Sequence, residues 1–206
     1  HLENRTFLDV GFGQGLSLLA AADLGARACG CDINPQCAQV LDRNRSFYPR
    51  LARDSIQVVV GSILDEKIVR RLRAGAPLGY DVVHSWGVLH HTGDMNKALQ
   101  QVAFLVGPKG HLVIALYNRH WSCPLWKGVK WIFNIGPSWV RRILIGVCYP
   151  VIYLAKRLVT GGDPRKKERG MDFYYDVIDW VGGYPYEYAS ISEVESRMHA
   201  LGFETI

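Results

Sequence analysis

Apolar residues along the chain fall into two alternating rhythms. Short apolar runs end at a glycine or an acid, and between them lie stretches whose apolar positions recur every three or four residues. "TFLDV" (Thr6 to Val10) predicts a buried strand, and "GLSLLAAADLGA" a helix ending near Gly25. "RACGCDI" is a second short strand. Asn34 followed by Pro35 starts the helix "PQCAQVLDRNRSF", with an N-cap side chain and a proline in the first turn. The β-branched "SIQVVVGS" predicts a third strand, "DEKIVRRLRAG" a short charged helix, and "YDVVHSWG" a fourth strand. After "HHTGD", the residues Ala98, Leu99, Val102, Leu105 and Val106 sit at helical spacing. Gly107 and Pro108 stop that helix, and "HLVIALYN" is the fifth strand.

Strands alternating with helices predict an α/β fold, a doubly wound and mainly parallel sheet with helices on both faces. Ligands in such sheets bind outside the carboxyl ends of the strands. The functional residues are therefore expected just after Val10, Cys31, Val60, His84 and Leu116.

Composition narrows the class. With 206 residues, 49% of them hydrophobic and 21% charged, the chain can bury a sizeable core and is not a disordered polymer. Its five cysteines form no CxxC pair, so neither a disulfide framework nor a zinc site is indicated, and a reducing cytoplasm is expected. Cys29 and Cys31 lie two apart in a strand, on one face, and read as core filler. No secretory leader is visible and no internal repeat is present. The net charge of +5 is uneven: Arg119 to Gly170 carries eleven Lys or Arg against Asp163 and Glu168, a local +9, which leaves −4 elsewhere.

The glycines after the first strand point to a ligand. A helix N-terminus offers unpaired N–H groups and partial positive charge, and glycine lets a ligand approach the backbone. Gly11, Gly13 and Gly15 follow the pattern GxGxG, not the GxGxxG of nicotinamide sites, and Asp9 precedes them. A carboxylate there repels a pyrophosphate but can pair with an ammonium, which favours an amino-acid ligand. Asp32 ends the second strand, where an acid can accept hydrogen bonds from vicinal ribose hydroxyls. Ser62 and Ile63 follow the third strand, where a hydroxyl and an N–H can read an adenine edge while Ile63 packs on its ring. Ribose plus amino acid is S-adenosylmethionine.

In order, "FLDVGFGQG", "CDIN", "GSILD", "YDVVHSWGVLHHTGDM" and "GPKGHLVIALYN" resemble the class I S-adenosylmethionine-dependent methyltransferases. The likeness covers roughly the first 118 residues and, more weakly, the final helix. It implies the seven-stranded Rossmann-like sheet of that family and a cofactor site made of Asp9, Gly11, Phe12, Gly13, Gly15, Asp32, Ile33, Ser62 and Ile63, with Ser85 and Trp86 closing over the cofactor.

Methyl transfer from a sulfonium needs alignment in a dry pocket, and a base where the acceptor must lose a proton. His90 and His91 are the candidate catalytic residues, with one of the two expected to face the pocket; local packing is the other reading of both. Tyr117 and Asn118 can line the same pocket or serve structure. Related quinol O-methylases carry an acidic trio for a divalent metal. Here Gly87 and His90 stand where carboxylates would be wanted, so no metal is expected.

The segment 119–188 is read as a helical and aromatic insert forming a cover for a small-molecule acceptor, between a core of 1–118 and a final stretch, 189–206, of that same core. "PLWKGVKWIFNIGPSWVRRILIGVCYPVIYLAKRL" mixes Trp, Ile, Leu and Val with Lys and Arg. Three readings stand: a pocket cover, a peripheral membrane patch for a lipid-like acceptor, or helices packed with a solvated basic face. Its uncharged run from Ile143 to Ala155 includes Pro150 and reads as too short to span a bilayer. Nucleic acid is not expected, because the aromatics are embedded among aliphatics. "MDFYYDVIDWVGGYPYEYAS" reads as aromatic walls of an acceptor site or as an ordered loop, and similar "DWxGGYPxE" blocks occur in bacterial methyltransferases.

A capped helix begins near Ser190, and "GFETI" reads as the start of a sixth strand, which would leave the C-terminal strand pair incomplete. An O-methyltransferase is the leading expectation. A non-catalytic S-adenosylmethionine-binding protein and a nicotinamide-dependent oxidoreductase are the alternatives.

Overall fold

A computed structural model describes residues 2–51, 55–166 and 172–204. The chain forms two compact units, Arg119–Tyr188 and the remainder on either side of it.

The first unit holds the sheet. Its strands are β1 (Thr6–Val10), β2 (Arg27–Asp32), β3 (Ile56–Val60), β4 (Tyr80–Trp86) and β5 (Val106–Ala115). They lie in the order β3-β2-β1-β4-β5 with every pairing parallel. Successive strands are joined by α1 (Leu16–Asp23), α2 (Gln36–Asn44), α3 (Glu66–Gly75) and α4 (Met95–Leu105). The order of strands reverses between β1 and β4, and such a switch point is where connecting loops diverge and open a crevice.

Alternation along each strand builds two apolar layers. Leu8, Val10, Cys29, Cys31 and Val83 face one side and pack with Leu72 of α3 and with Leu99 and Val102 of α4. Phe7, Ala28 and Ile56 face the other, beneath Leu18 and Leu19 of α1 and Leu41 of α2. At the amino ends of β1 and β4, Asp81 accepts hydrogen bonds from the Thr6 N–H and hydroxyl at 2.8 Å and pairs with Arg5. These bonds hold its carboxyl down at about 2, below the usual range.

β5 begins earlier than the sequence predicts. Val106 already pairs with Tyr80; the register then shifts through Gly107–Gly110, where Lys109 has φ 63°, and resumes with His111 opposite Val82. A Cβ on Gly79 would lie 2.5 Å from the Gly107 Cα, so two facing glycines allow the early pairing. At the far end the expected sixth strand does not start within the described residues: Gly202–Glu204 form no strand, and Thr205 and Ile206 lie outside them.

The second unit contains α5 (Cys123–Ile135), α6 (Ser138–Thr160) and α7 (Phe173–Gly182). Cys148 and Ile152 of α6 pack against Phe173, Val177 and Val181 of α7. Half of the aromatic, acidic stretch, expected to be an acceptor wall or an ordered loop, is this helix. Phe173, Val177 and Val181 recur at i, i+4 and i+8, and the Asp172 carboxylate caps the Tyr174 N–H at 2.7 Å. Two expectations for α6 also change. It runs unbroken through Pro150 for 23 residues, and among the described residues it is the one helix long and apolar enough to cross a membrane by length and composition.

The last helix, α8 (Ile191–Ala200), begins with a reciprocal capping box between Ser190 and Glu193. Ser190→Ala should lower stability by about 1 kcal/mol, checked by urea denaturation.

Candidate functional site

Three backbone turns meet at the carboxyl ends of the central strands. After β1 the chain turns through Gly11 (φ 76°), Gly13 (φ 52°) and Gly15 (φ 75°) into α1, a left-handed backbone that side chains with a Cβ rarely adopt. A Cβ on Gly11 would lie 2.4 Å from Val88, and one on Gly15 2.3 Å from Leu41, so these two glycines are required for packing. Gly13 differs: a Cβ there meets nothing within 4 Å. Its outer face is open to a ligand.

Asp32 locks this turn to the tip of β2. One carboxylate oxygen accepts the Gly13 N–H at 3.0 Å, and the other accepts the Asn34 N–H at 2.9 Å. Gly11 N–H donates to the Cys31 carbonyl at 2.7 Å, and Gly61 N–H to the Asp32 carbonyl at 2.9 Å, so three strand ends are stitched together. Each Asp32 oxygen keeps a second lone pair for an outside donor.

These ends enclose a cavity of about 240 Å³ lined by Gly11, Asp32, Ile33, Ser62, Ile63 and His91, among others. Ile33 is exposed, Ile63 is buried, and the Ser62 hydroxyl accepts the Leu64 N–H at 3.1 Å. A larger hollow of about 390 Å³ lies at the opposite ends of the strands, beside Thr6, Arg27 and Asp81. Asp81 there is already satisfied by Thr6 and Arg5, and no helix amino terminus follows a glycine turn, so the smaller cavity is the candidate site.

The other four side chains expected at the site make contacts within the protein. The Phe12 ring is buried, packed over Gly30 beside Leu18. Ser85 is fully buried and donates its hydroxyl to the Val10 carbonyl at 2.9 Å, tying β4 to β1. Trp86 is 66% exposed and stacks at 6.2 Å on His84. Asp9 is buried and its Oδ1 lies 2.8 Å from the His84 Nδ1, so a neighbouring imidazole engages one oxygen of the group expected to meet an ammonium. His84 drew no notice in the sequence. It is the register partner of Asp9 across β1 and β4, a pairing invisible without the sheet order.

The two adjacent histidines divide. Both lie in a short 3-10 turn, Leu89–His91. His91 lines the cavity, whereas His90 is only 2% exposed. Their ring centroids are 4.3 Å apart, and Tyr117 lies 4.0 Å from His90 and 5.5 Å, edge-on, from His91. Tyr117 also accepts the Ala189 N–H through its carbonyl at 3.1 Å, and Asn118 bridges to Ala189. Among the described residues no three His, Cys, Asp or Glu side chains gather as a metal-binding group.

In the second unit, Lys130 of α5 was also missed. It is 1% exposed, donates to the Trp180 carbonyl at the end of α7, and sits 5.0 Å from the Tyr186 ring. Burial lowers its pKa from 10.5 to about 8. Asn134, one turn along, donates to the Gly182 carbonyl at 2.9 Å, so the pair caps α7.

A family model described as "Methyltransferase domain" matches residues 1–206. The chain belongs to the methyltransferase-domain family. Its first 118 residues supply the parallel sheet and glycine turn of that fold. Among curated relatives, the ubiquinone biosynthesis O-methyltransferase of Cupriavidus pinatubonensis is 28% identical over 138 residues, which are 66% of this chain and 51% of that protein. The protein of the same name from Rhodopseudomonas palustris is 33% identical over 123 residues, 59% of this chain and 43% of its own. The methyltransferase domain thus spans about half the length of the curated relatives it matches. The structure of PKMT2 from Rickettsia typhi in complex with AdoHcy superposes with a TM-score of 0.62 at 16% identity, covering 98% of this chain and 39% of that one. That likeness shows the fold.

Lys130 generates a pH prediction for the second unit. Because its folded pKa of about 8 lies below the ordinary 10.5, the unfolded chain binds the extra proton between those values. Stability should therefore rise as pH increases from about 8 toward 10.5, and Lys130→Met should flatten that slope in denaturation curves.

Proposed function

We propose that this domain transfers a methyl group from S-adenosylmethionine to a hydroxyl oxygen of a small-molecule acceptor. The observation that carries the reading is Asp32, held at the tip of β2 by an open glycine turn, at the wall of a cavity that also contains His91. The residues fit the donor: Gly13 leaves room where a Cβ would stand, and Asp32 retains acceptor capacity for two vicinal hydroxyls. Ile63 offers an apolar face for a flat ring, with Ser62 beside it.

When bound, the donor supplies a methyl group activated by a positively charged sulfur. The domain's own part is alignment and proton removal. His91 accepts the proton of the acceptor hydroxyl as its oxygen forms the new bond to the methyl carbon and the carbon–sulfur bond breaks. His90 and Tyr117 hold the His91 ring by packing against it. Asp9 and His84 serve the site from behind, by fixing β1 to β4 immediately before the glycine turn. Oxygen as the methylated atom is supported by the O-methyltransferase names of the relatives.

Five free cysteines, four of them buried, suit the reducing cytoplasm in which we place the domain. The cation-rich second unit supports a peripheral contact with a membrane, where a lipid-like acceptor would be met.

Two measurements test the assignment. Asp32→Ala should weaken S-adenosylmethionine binding in calorimetric titration by about 1–3 kcal/mol, and an unchanged isotherm removes Asp32 from the site. His91→Ala should slow release of S-adenosylhomocysteine by roughly 100-fold or more with a soluble phenolic acceptor, a far larger change than in donor binding. Equal turnover by His91→Ala and the parent would exclude it as the base.

A further inference from the structure

α6 turns one apolar face inward and a second apolar face outward. Cys148 and Ile152 are buried against α7. Farther round the helix, Trp139, Ile143, Val147, Val151, Leu154 and Leu158 follow one another at intervals of four, four, four, three and four residues, each more than half exposed. That spacing makes a continuous stripe about 28 Å long at 1.5 Å per residue. Scattered exposed apolar residues need no explanation; an unbroken stripe of this length marks a contact surface.

Charge identifies the occupant. From Arg119 to Thr160 the chain has seven Lys or Arg and no Asp or Glu; Lys130 is buried and Lys156 is paired with Asp176, so the other five carry the outward charge. Arg142 lies one turn into α6 and Arg157 near its end, and Lys127 is exposed on α5. Trp121, Trp131 and Trp139, all half exposed or more, supply the rings that favour the boundary between headgroups and hydrocarbon. Apolar stripe, exposed tryptophans and acid-free basic flanks together match an anionic bilayer surface.

Orientation follows from the inward face. It packs on α7, which carries Asp176 and Asp179, and Lys156 pairs with Asp176 at 2.6 Å. A spanning α6 would carry that ion pair and the acids of α7 into hydrocarbon, where ionised groups are costly. We infer that α6 lies in the plane of an anionic membrane, with Trp139, Ile143, Val147, Val151, Leu154 and Leu158 sunk below the headgroups and α7 on the aqueous side. This deepens, and rests on, the peripheral membrane contact proposed above.

The test is flotation of the chain with vesicles of phosphatidylcholine alone or mixed with phosphatidylglycerol, in low and molar salt. The variants are Val147→Asp and Leu154→Asp, both exposed positions, checked for fold by circular dichroism. The expected result is binding to the mixed vesicles that persists in part in high salt and falls roughly tenfold with each substitution. Quenching by brominated lipid should shrink in Trp139→Phe. Binding that salt abolishes and the aspartates leave unchanged would overturn the in-plane insertion while keeping an electrostatic membrane contact. No binding to either vesicle would overturn both. Resistance to alkaline carbonate extraction would make α6 a span, and a dimer dissociated by the aspartates would make its occupant a second copy; either rejects the inference. None of these readouts depends on methyl transfer.

Discussion

The hydrogen bond from the Gly13 N–H to the Asp32 carboxylate is the constraint on which the site depends. It joins a left-handed glycine turn to the tip of the neighbouring strand, so that the start of α1 and the end of β2 present one surface. The carbonyls of Cys31 and Asp32 extend the same stitching to Gly11 and Gly61. A carboxylate placed there acts twice, as a strut for the turn and as an acceptor for whatever enters the crevice. Packing requires Gly11 and Gly15 to be glycines, and the space over Gly13 is what remains for a ligand.

Burial then sorts residues that look equivalent. His90 and His91 are adjacent and chemically identical, yet one is sealed against Tyr117 and the other lines the cavity. Asp9 and Asp32 are both acids at strand ends, but Asp9 is buried beside His84 while Asp32, the last paired residue of β2, lines the cavity. In each pair the side chain nearer the end of its element reaches the crevice. The other holds that element in place.

The second unit follows a different logic. Its helices are apolar on more than one face, and its interior admits an ammonium because Lys130 finds a carbonyl and aromatic rings at the end of α7. The inward face of α6 is answered by α7; its outward face is bounded by cations and tryptophans. A helix with two apolar faces in a chain of ordinary composition needs two different neighbours.

Local pattern determined much of this protein. The βα alternation, the glycine turn, Asp32, the Ser190 cap and the shared core face of the two cysteines in β2 are each written in a few consecutive residues, because turns, caps and strand faces are local physics. Tertiary structure decided the rest. That Asp9 meets His84, that Ser85 binds β1, that β5 starts at Val106 and that only His91 reaches the cavity all depend on strand order and register, which bring together groups far apart in the chain, 75 residues for Asp9 and His84. The period of α7 was hidden by its aromatic density, and the outward stripe of α6 emerges only once α7 has claimed the other side. A sequence specifies which faces are apolar, but which of them remain uncovered is settled by what else packs nearby.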